Sequence, residues 1–507
     1  MRKLPFKMLK SSGVIVVLEY IVKILAIGIV PENRRPSSST AWLLLILFFP
    51  AVGVPAFLTI GSPYNSARRS KIQAEANELL QLGTEGLANI PTDEDVPEPL
   101  ENIVRLSRSL TALPMVHGYN GGVEMDYEAS IKRMTALVND AEETVHLEFY
   151  ITVRDKTTVE FLRSMEAAVK RGVKVRVLLD HIGSRKYDGF REFLRWMSSV
   201  GIEWHLMLPF LPLQGKMRRP DLRNHRKLMV VDGMYAVMGS QNLVDSAYGS
   251  EKNAAIGRHW NDISIELSGP IVSSLESIFA VDWYSECGEI TDIHAYRRLS
   301  TENQRLDSHV LESVHSSPPE DNAAVNLCQI IPSGPGFRTD PNLRVFTSMM
   351  YMARKRISIV SPYFVPDESL LAAVITAANR GVDVELYVSE QADQYMVDRA
   401  QSSYYQALLE AGVRIFMYPK PQVLHTKCFV VDDKYAVLGS SNMDMRSFGL
   451  NYEVSLLSYG GDIVTQVRDV VTTYRDKSKE LDAAQWKKRS IFRKYSESVM
   501  RLTSALQ

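Results

Sequence analysis

Two stretches, HRKLMVVDGMYAVMGSQN (residues 225–242) and HTKCFVVDDKYAVLGSSN (residues 425–442), decide how this chain is read. Both fit the pattern H-x-K-x4-D-x6-G-S-x-N. Ordinary residue frequencies supply those fixed positions with a probability on the order of 10⁻⁸ per start site, so two copies exclude coincidence. Each copy closes a longer repeat. ETVHLEFYI (143–151) and KRISIVSPYFV (355–365) are strand-like runs, each followed by a helical stretch. AAVKRGVKVRVLLD (167–180) and TAANRGVDVELYV (376–388) then give a helix ending in Arg-Gly and a second strand. Gly172 and Gly381 stand where helix C-caps need a left-handed residue. VGIEWHL (200–206) and AGVRIFM (411–417) add a further helix end and strand. Alternation of this kind predicts an α/β fold built twice, with mixed sheets packed about a pseudo-two-fold axis.

The flanking sequence sets the domain plan. Residues 13–30 and 41–60 are apolar stretches, each about long enough to cross a hydrocarbon core of roughly 30 Å. The second carries no charge, and membrane helices tolerate its Pro50 and Pro55. Glu19 and Lys23 interrupt the first but stand four apart, where they can pair. An N-terminal transmembrane helical hairpin is therefore expected. Arg2, Lys3, Lys7 and Lys10 before it and Arg68, Arg69 and Lys71 after it outnumber Arg34 and Arg35 between, so a hairpin predicts a multi-pass protein of the cell membrane with a cytoplasmic catalytic region, whereas a single span by the second stretch would send the large domain outside. PTDEDVPEP (91–99) is a linker, and the polar residues 300–322 separate the repeats. The expected divisions are an anchor (1–65), a linker (66–115), a first half (116–300), an inter-half linker (301–322) and a second half (323–507) ending in a basic helix.

With 58 basic and 59 acidic side chains in 507 residues, the chain has no global attraction for polyanions, and no nucleic-acid partner is expected. With 45% hydrophobic residues it has material for two cores and cannot be a disordered tail. Cys287, Cys328 and Cys428 match neither a disulfide framework nor a zinc site and read as free thiols.

The doubled motif has a coherent chemistry if both copies converge on one site. On an extended segment His225 and Lys227 share a face, as do His425 and Lys427. One imidazole can attack phosphorus while the other, protonated, serves the leaving alkoxide. The lysines supply charge to the non-bridging oxygens. Ser240, Asn242, Ser440 and Asn442 are candidate substrate donors. Asp232 and Asp432 complete the motif among the candidate catalytic residues, although their place at a turn between apolar strands suits backbone and basic partners better than substrate. Asp262 in HWNDISIEL and Glu453 in NYEVSLL are candidates to orient the histidines. No metal and no cofactor are required. The other eight histidines read as structural or surface residues, and Tyr150 and Tyr363 as packing at the ends of the first repeat strands.

The doubled motif resembles that of the phospholipase D superfamily, and the wider chain resembles the bacterial cardiolipin synthases as a family. RRPSSSTAWLLLILFFPAVGVPAF is similar to that family's membrane segment, and YNGGVEMDYEASI, LRNHRK and SGPIVSSLESIFAVDWY are similar to its first half. PSGPG, SPYFVPDESLL, LHTK and SNMDMRSFGLNYE are similar to its second. The resemblance implies two phospholipase D-like repeats and a phosphatidyl-histidine intermediate, with His225 the nucleophile and His425 acid, then base. It implies that one phosphatidylglycerol gives its phosphatidyl group to another and that glycerol leaves; phosphatidylglycerol and anionic membrane lipid would be the partners. The residues alone do not rank the two histidines, do not separate transfer from hydrolysis to phosphatidic acid, and leave the oligomeric state open. A nuclease would need a basic face, and a scaffold would not need both His-Lys pairs. LPFLPLQGKMRRPDLRNHRK (208–227) reads equally as a membrane loop, inserting Phe210 and Leu211 while Lys216, Arg218, Arg219, Arg223 and Arg226 bind headgroups, or as a solvated basic loop. WKKRSIFRKY (486–495) is a basic helix that could touch a membrane surface or simply face solvent.

Overall fold

A computed structural model describes residues 6–32, 36–61, 71–72, 74–76, 78, 81, 84, 86–211, 216–217, 219–289, 291, 324–337 and 339–502. The expected inter-half linker lies outside the described residues. The chain divides into two compact units, residues 1–68 with 211–221, and residues 69–210 with 222–507.

In the first unit, helices run over Phe6–Ile29 and Pro36–Phe48, and Glu19 pairs with Lys23 at 2.6 Å as their spacing requires. The second apolar stretch is not one helix. Pro50 has no N–H to donate back into the preceding turn. The chain breaks at Phe49 (φ −133°, ψ 65°), resumes as Pro50–Ala56 and ends in a π-turn, Phe57–Gly61. A Cβ on Gly53 would lie 2.8 Å from the backbone of Ile46, so only glycine lets the short helix close back on the longer one. Among the described residues no helix is long and apolar enough to cross a membrane.

The second unit is organised by one mixed sheet. Its main strands in chain order are β1 (Val116–Glu124), β2 (Thr144–Phe149), β3 (Lys174–Asp180), β4 (Glu203–Met207), β5 (Lys227–Val231), β6 (Tyr235–Gly239) and β7 (Ser264–Ser268) in the first half. The second half supplies β8 (Val325–Ser333), β9 (Arg356–Val360), β10 (Asp383–Ser389), β11 (Arg414–Tyr418), β12 (Cys428–Val431), β13 (Tyr435–Gly439) and β14 (Asn451–Tyr459). Across the sheet the order is β11-β10-β9-β12-β13-β14-β8-β1-β7-β6-β5-β2-β3-β4. The two halves therefore have the same strand order, read outward from the equivalent strands β8 and β1. These meet antiparallel, with Val116 opposite Cys328 and Tyr119 opposite Val325. The repeats are joined edge to edge in one sheet, as a local two-fold at that junction requires.

The outer strands β2, β3 and β4, like β9, β10 and β11, are parallel. Of these, β2, β3, β9 and β10 are almost continuously buried because helices cover both faces, while the edge strand β4 is largely half-exposed. Tyr127–Asp140 and Val159–Arg171 enclose one core with Leu147, Val177 and Met229, while Pro341–Met352 and Glu368–Asn379 enclose its counterpart with Ile359, Leu386 and Phe429. On the other face, Ile271–Cys287 and Gly461–Lys477 share one core that spans both halves and includes Cys328 and Cys428. Gly172 caps its helix at φ +98°, and Gly381 takes φ +86° one residue beyond its C-cap Arg380.

Candidate active site

Each motif histidine follows a two-residue parallel ladder made with the other half. Arg223–Asn224 pairs with the start of β14, and the N–H of His225 continues the ladder to Tyr452 O at 2.9 Å. Trp260–Asn261 pairs with Val423–Leu424, and the N–H of His425 donates to Asn261 O at 2.8 Å. The residue after each acceptor is a carboxylate, so the ladders bring the carboxylates beside the histidines across the halves. His225 Nδ1 lies 3.0 and 3.1 Å from the Glu453 oxygens, and His425 Nδ1 lies 2.7 Å from Asp262 Oδ1. The expectation that Asp262 and Glu453 orient the histidines meets this geometry, with the pairing crossed between repeats.

The tautomer follows from the acceptors. Ser440 O, 3.1 Å from His225 Nδ1, can only accept. The proton therefore sits on Nδ1, and Nε2 keeps its lone pair.

Lys227 and Lys427 are buried at the starts of the strands that follow, each donating to the carbonyl of its own motif histidine. The Lys227 ammonium also lies 5.5 Å from the Tyr150 ring, which meets His225 edge-on at 5.1 Å. Burial, then the charges of Lys227, Lys427 and His425, hold the His225 imidazole well below the usual histidine range, so the charged groups of both motifs act on it. His425 is lowered by burial too, and Asp262 offsets only part of that shift. Burial pushes the Asp262 carboxyl upward, yet His425, Lys427 and the Ser240 hydroxyl outweigh it and bring it down to about 2. Glu453 goes the other way: burial raises it to about 7 against the opposing Lys227. Burial lowers Lys227 strongly and Lys427 to about 8.

Several expected site residues have other work. The Ser240 hydroxyl donates to Asp262 at 2.6 Å, and that of Ser440 to Glu453 at 2.5 Å. They are not placed as substrate donors, because a buried carboxylate requires its own hydrogen bonds. Asn242 accepts from Ile151 N at 3.2 Å and donates to Tyr248 OH at 2.9 Å, which ties down the loop. The Asn442 backbone N–H donates to Ser447 Oγ at 3.2 Å. Asp232 and Asp432 are not among the residues gathered at the histidines. In left-handed turns (φ +54° and +53°) they accept backbone N–H groups of Glu142, Glu143 and Thr144, and of Arg354, Lys355 and Arg356, at the first residues of β2 and β9. Arg223 and Arg226 do not face headgroups: both are buried, Arg223 with Asp180 at 3.1 Å and Arg226 with Asp282. Arg219 pairs with Asp221, while the side chains of Leu211, Lys216 and Arg218 lie outside the described residues.

The two halves differ behind the histidines. In the first, Asp180 accepts Asn224 N and Arg223, Asn224 Nδ2 reaches Glu148 at 2.8 Å, and Arg226 joins Asp282 to the carbonyl of Glu453. In the second, Ser389 Oγ accepts Leu424 N at 2.9 Å, and the Thr426 and Tyr474 hydroxyls share a 2.6 Å bond. A buried ionic cluster thus backs His225 and a neutral one backs His425. The Arg226/Thr426 difference between the motifs was its sequence signal. Tyr248, edge-on to His425 at 6.0 Å and stacked on Trp260, walls a surface cavity with Lys186, Tyr187 and Asp393. Tyr363 donates to Asp393, a residue of that cavity's wall, at 2.6 Å. Among the described residues, Asp93, Glu94 and His117 bring possible ligand atoms within 4.8 Å of one another, in a group that includes none of the motif residues.

The family model for "Cardiolipin synthase, PLD-like domain" matches residues 134–283 and 346–473, and that for "Phospholipase_D-nuclease N-terminal" matches residues 21–62. A cardiolipin synthase of Geobacillus kaustophilus is 33% identical over 99% of this chain and 93% of its own length. Cardiolipin synthase A of Proteus mirabilis is 31% identical over 94% of each. The crystal structure of a phosphatidylserine synthase from Haemophilus influenzae superposes with a TM-score of 0.57 at 14% identity, covering 81% of this chain and 100% of that one, and so shares the fold. With two matched repeats carrying the two converging motifs, and relatives aligned over nearly all its length, the chain belongs to the cardiolipin synthase family of phospholipase D-like proteins.

Proposed function

We propose that this protein is a phosphatidyltransferase that makes cardiolipin from two phosphatidylglycerol molecules through a phosphatidyl-histidine intermediate. The observation that carries the mechanism is the crossed pairing, in which each histidine presents Nδ1 to a carboxylate of the other half, leaving Nε2 as the nitrogen for chemistry. His225, the more depressed of the two and so neutral, attacks the phosphorus with Nε2. His425, less depressed than His225 because the ionised Asp262 opposes its burial, is the histidine that takes up a proton when the anionic phosphodiester binds and gives it to the leaving glycerol alkoxide. It then removes the proton from the terminal hydroxyl of the second phosphatidylglycerol, whose oxygen displaces His225 and forms cardiolipin. Lys227 and Lys427 meet the non-bridging oxygens, and a bound anionic phosphodiester draws both back towards the charged state. Burial of both histidines and both lysines keeps bulk water from the intermediate, which favours an alcohol acceptor over hydrolysis.

Residues 1–65 serve in this reading as a membrane anchor, and the excess of basic residues flanking it favours a catalytic region on the cytoplasmic side. Ile24 (67% exposed) and Phe48 (72% exposed) offer apolar surface of the kind a bilayer covers. The deciding experiment supplies purified full chain with phosphatidylglycerol as the sole phospholipid. Cardiolipin with equimolar glycerol, absent in His225→Ala and His425→Ala, is expected. Phosphatidic acid with glycerol overturns the transferase reading in favour of a hydrolase.

A further inference from the structure

The helix Ile491–Arg501 is divided sharply between its two sides. Inward, the buried Glu497 receives Arg489 at 2.8 Å and Arg493 at 3.0 Å, and both guanidinium groups lie over the Trp486 ring at 4.7 and 4.9 Å. Arg501 lies 4.7 Å over the Tyr404 ring. Outward, Ile491 (77%), Phe492 (83%), Tyr495 (72%) and Leu502 (85%) are exposed. Their spacing places them in one stripe along the helix. Exposed Lys487, Lys488 and Lys494 flank that stripe, and Glu497, the only acid from residue 483 to 502, is consumed by the inner ion pairs. The outer face is thus apolar with a purely cationic rim.

This face continues towards the active site. The helix packs along Tyr395–Ser402, whose Tyr395 (64%) and Met396 (48%) are also exposed. Two residues before Tyr395, Asp393 takes the hydroxyl of Tyr363 and walls the cavity that holds Tyr248 and Trp260 beside His425. Exposed aromatic and aliphatic side chains therefore start at the rim of that cavity and run on to a lysine-bordered stripe.

We propose that the outer faces of Ile491–Arg501 and Tyr395–Ser402 dock on an anionic phospholipid bilayer and hold the cavity beside His425 at headgroup depth. The inference rests on the reading of the substrate as a membrane phospholipid. A phosphodiester in a bilayer stays at the headgroup layer, so a site that works on it must be held there. Lysines facing anionic headgroups and apolar side chains reaching the acyl boundary are the two complementary halves of such a contact. A second copy of the chain has the same cationic rim and would meet it with like charge.

The test uses the full chain in vesicles, with Phe492→Cys in a Cys287→Ser background carrying an environment-sensitive label. Brominated phosphatidylglycerol is expected to quench the label and iodide to lose access to it. Lys487→Gln, Lys488→Gln and Lys494→Gln together should weaken the quenching. Phe492→Ser with Tyr495→Ser should lower turnover of bilayer phosphatidylglycerol about tenfold, with turnover of a monomeric short-chain phosphatidylglycerol held within about twofold. A label equally open to iodide with and without a bilayer overturns the proposal. So does disulfide cross-linking between two unlabelled copies of the Phe492→Cys chain in vesicles, which would assign the face to a second copy. Insertion is read without turnover. A quenched label on a chain that makes no cardiolipin would sink the functional reading alone, and a water-exposed label on an active chain would sink only the docking face.

Discussion

Replacing the two orienting carboxylates by their isosteric amides should have unequal effects, because the structure gives the two pairs different electrostatics. The Asp262 carboxyl is brought from 3.8 to about 2. At 1.36 kcal/mol per pH unit that displacement is about 2.4 kcal/mol. Since burial alone acts in the opposite direction, the favourable coupling to His425, Lys427 and Ser240 is larger than this net figure. Asp262→Asn keeps the shape and loses the charge that stabilises protonated His425, so glycerol release should slow by about 10²-fold or more. Glu453 is raised to about 7, and its partner works as a neutral imidazole whose Nδ1 proton is also held by Ser440 O. A glutamine can still accept that proton, so Glu453→Gln should slow the same step only about tenfold. Rapid-quench measurement of glycerol release and of acid-trapped phosphatidyl-enzyme reads both effects in one experiment. If Asp262→Asn keeps release within about threefold of the parent, or Glu453→Gln is the more damaging change, the assignment of acid and nucleophile is refuted.

Free-enzyme kcat/KM should fall as pH drops through about 7, where Glu453 takes up a proton, and as pH rises through about 8, where Lys427 loses its charge. A profile flat from about pH 6 to 9 would disconnect these groups from the rate. Ser240→Ala and Ser440→Ala should each lower kcat about tenfold with KM unchanged, since each hydroxyl holds a carboxylate; a rise in KM alone would return them to substrate binding. Asp282→Ala strands the buried Arg226 with Glu148 4.0 Å away and should cost about 3–5 kcal/mol. With an unfolding entropy of about 2.1 cal/mol/K per residue and the larger unit melting as one, Tm should drop by about 3–6 °C. Arg226→Thr with Asp282→Tyr, the neutral pair of the other half, should recover most of that loss, and a double variant as unstable as the single one would count against the equivalence of the two clusters.

The doubled strand-helix-strand pattern and both histidine motifs were legible in the sequence because repetition marks equivalent positions. So were Asp262 and Glu453, as acids on alternating strands. Their crossing was not: alternation tells which face a side chain takes and is silent on which half supplies its neighbour. The carboxylate partners of Ser240 and Ser440 were not legible, because a hydroxyl serves a phosphate or a carboxylate equally well and only the fold brings Asp262 and Glu453 to them. Arg223 and Arg226 looked like a solvent-facing basic run. Their acids, Asp180 and Asp282, lie 43 and 56 residues away, beyond what local pattern can connect. The second apolar stretch satisfied a length rule for one helix, yet Pro50 and the Gly53 contact fold it back on itself.

The crossed pairing also bears on how the protein is born. Synthesis runs from the N-terminus, and domains generally fold in that order. His225 leaves the ribosome 228 residues ahead of Glu453, the group that holds its imidazole in register. His425 emerges after Asp262 but still finds no partner nucleophile in place until the last sheet strands arrive. A chain that ends before the second half therefore carries His225 and Lys227 without the carboxylate that orients the imidazole. The imidazole of His225 is held in register only once translation has delivered the far half, so the order of synthesis sets the order in which the site is assembled.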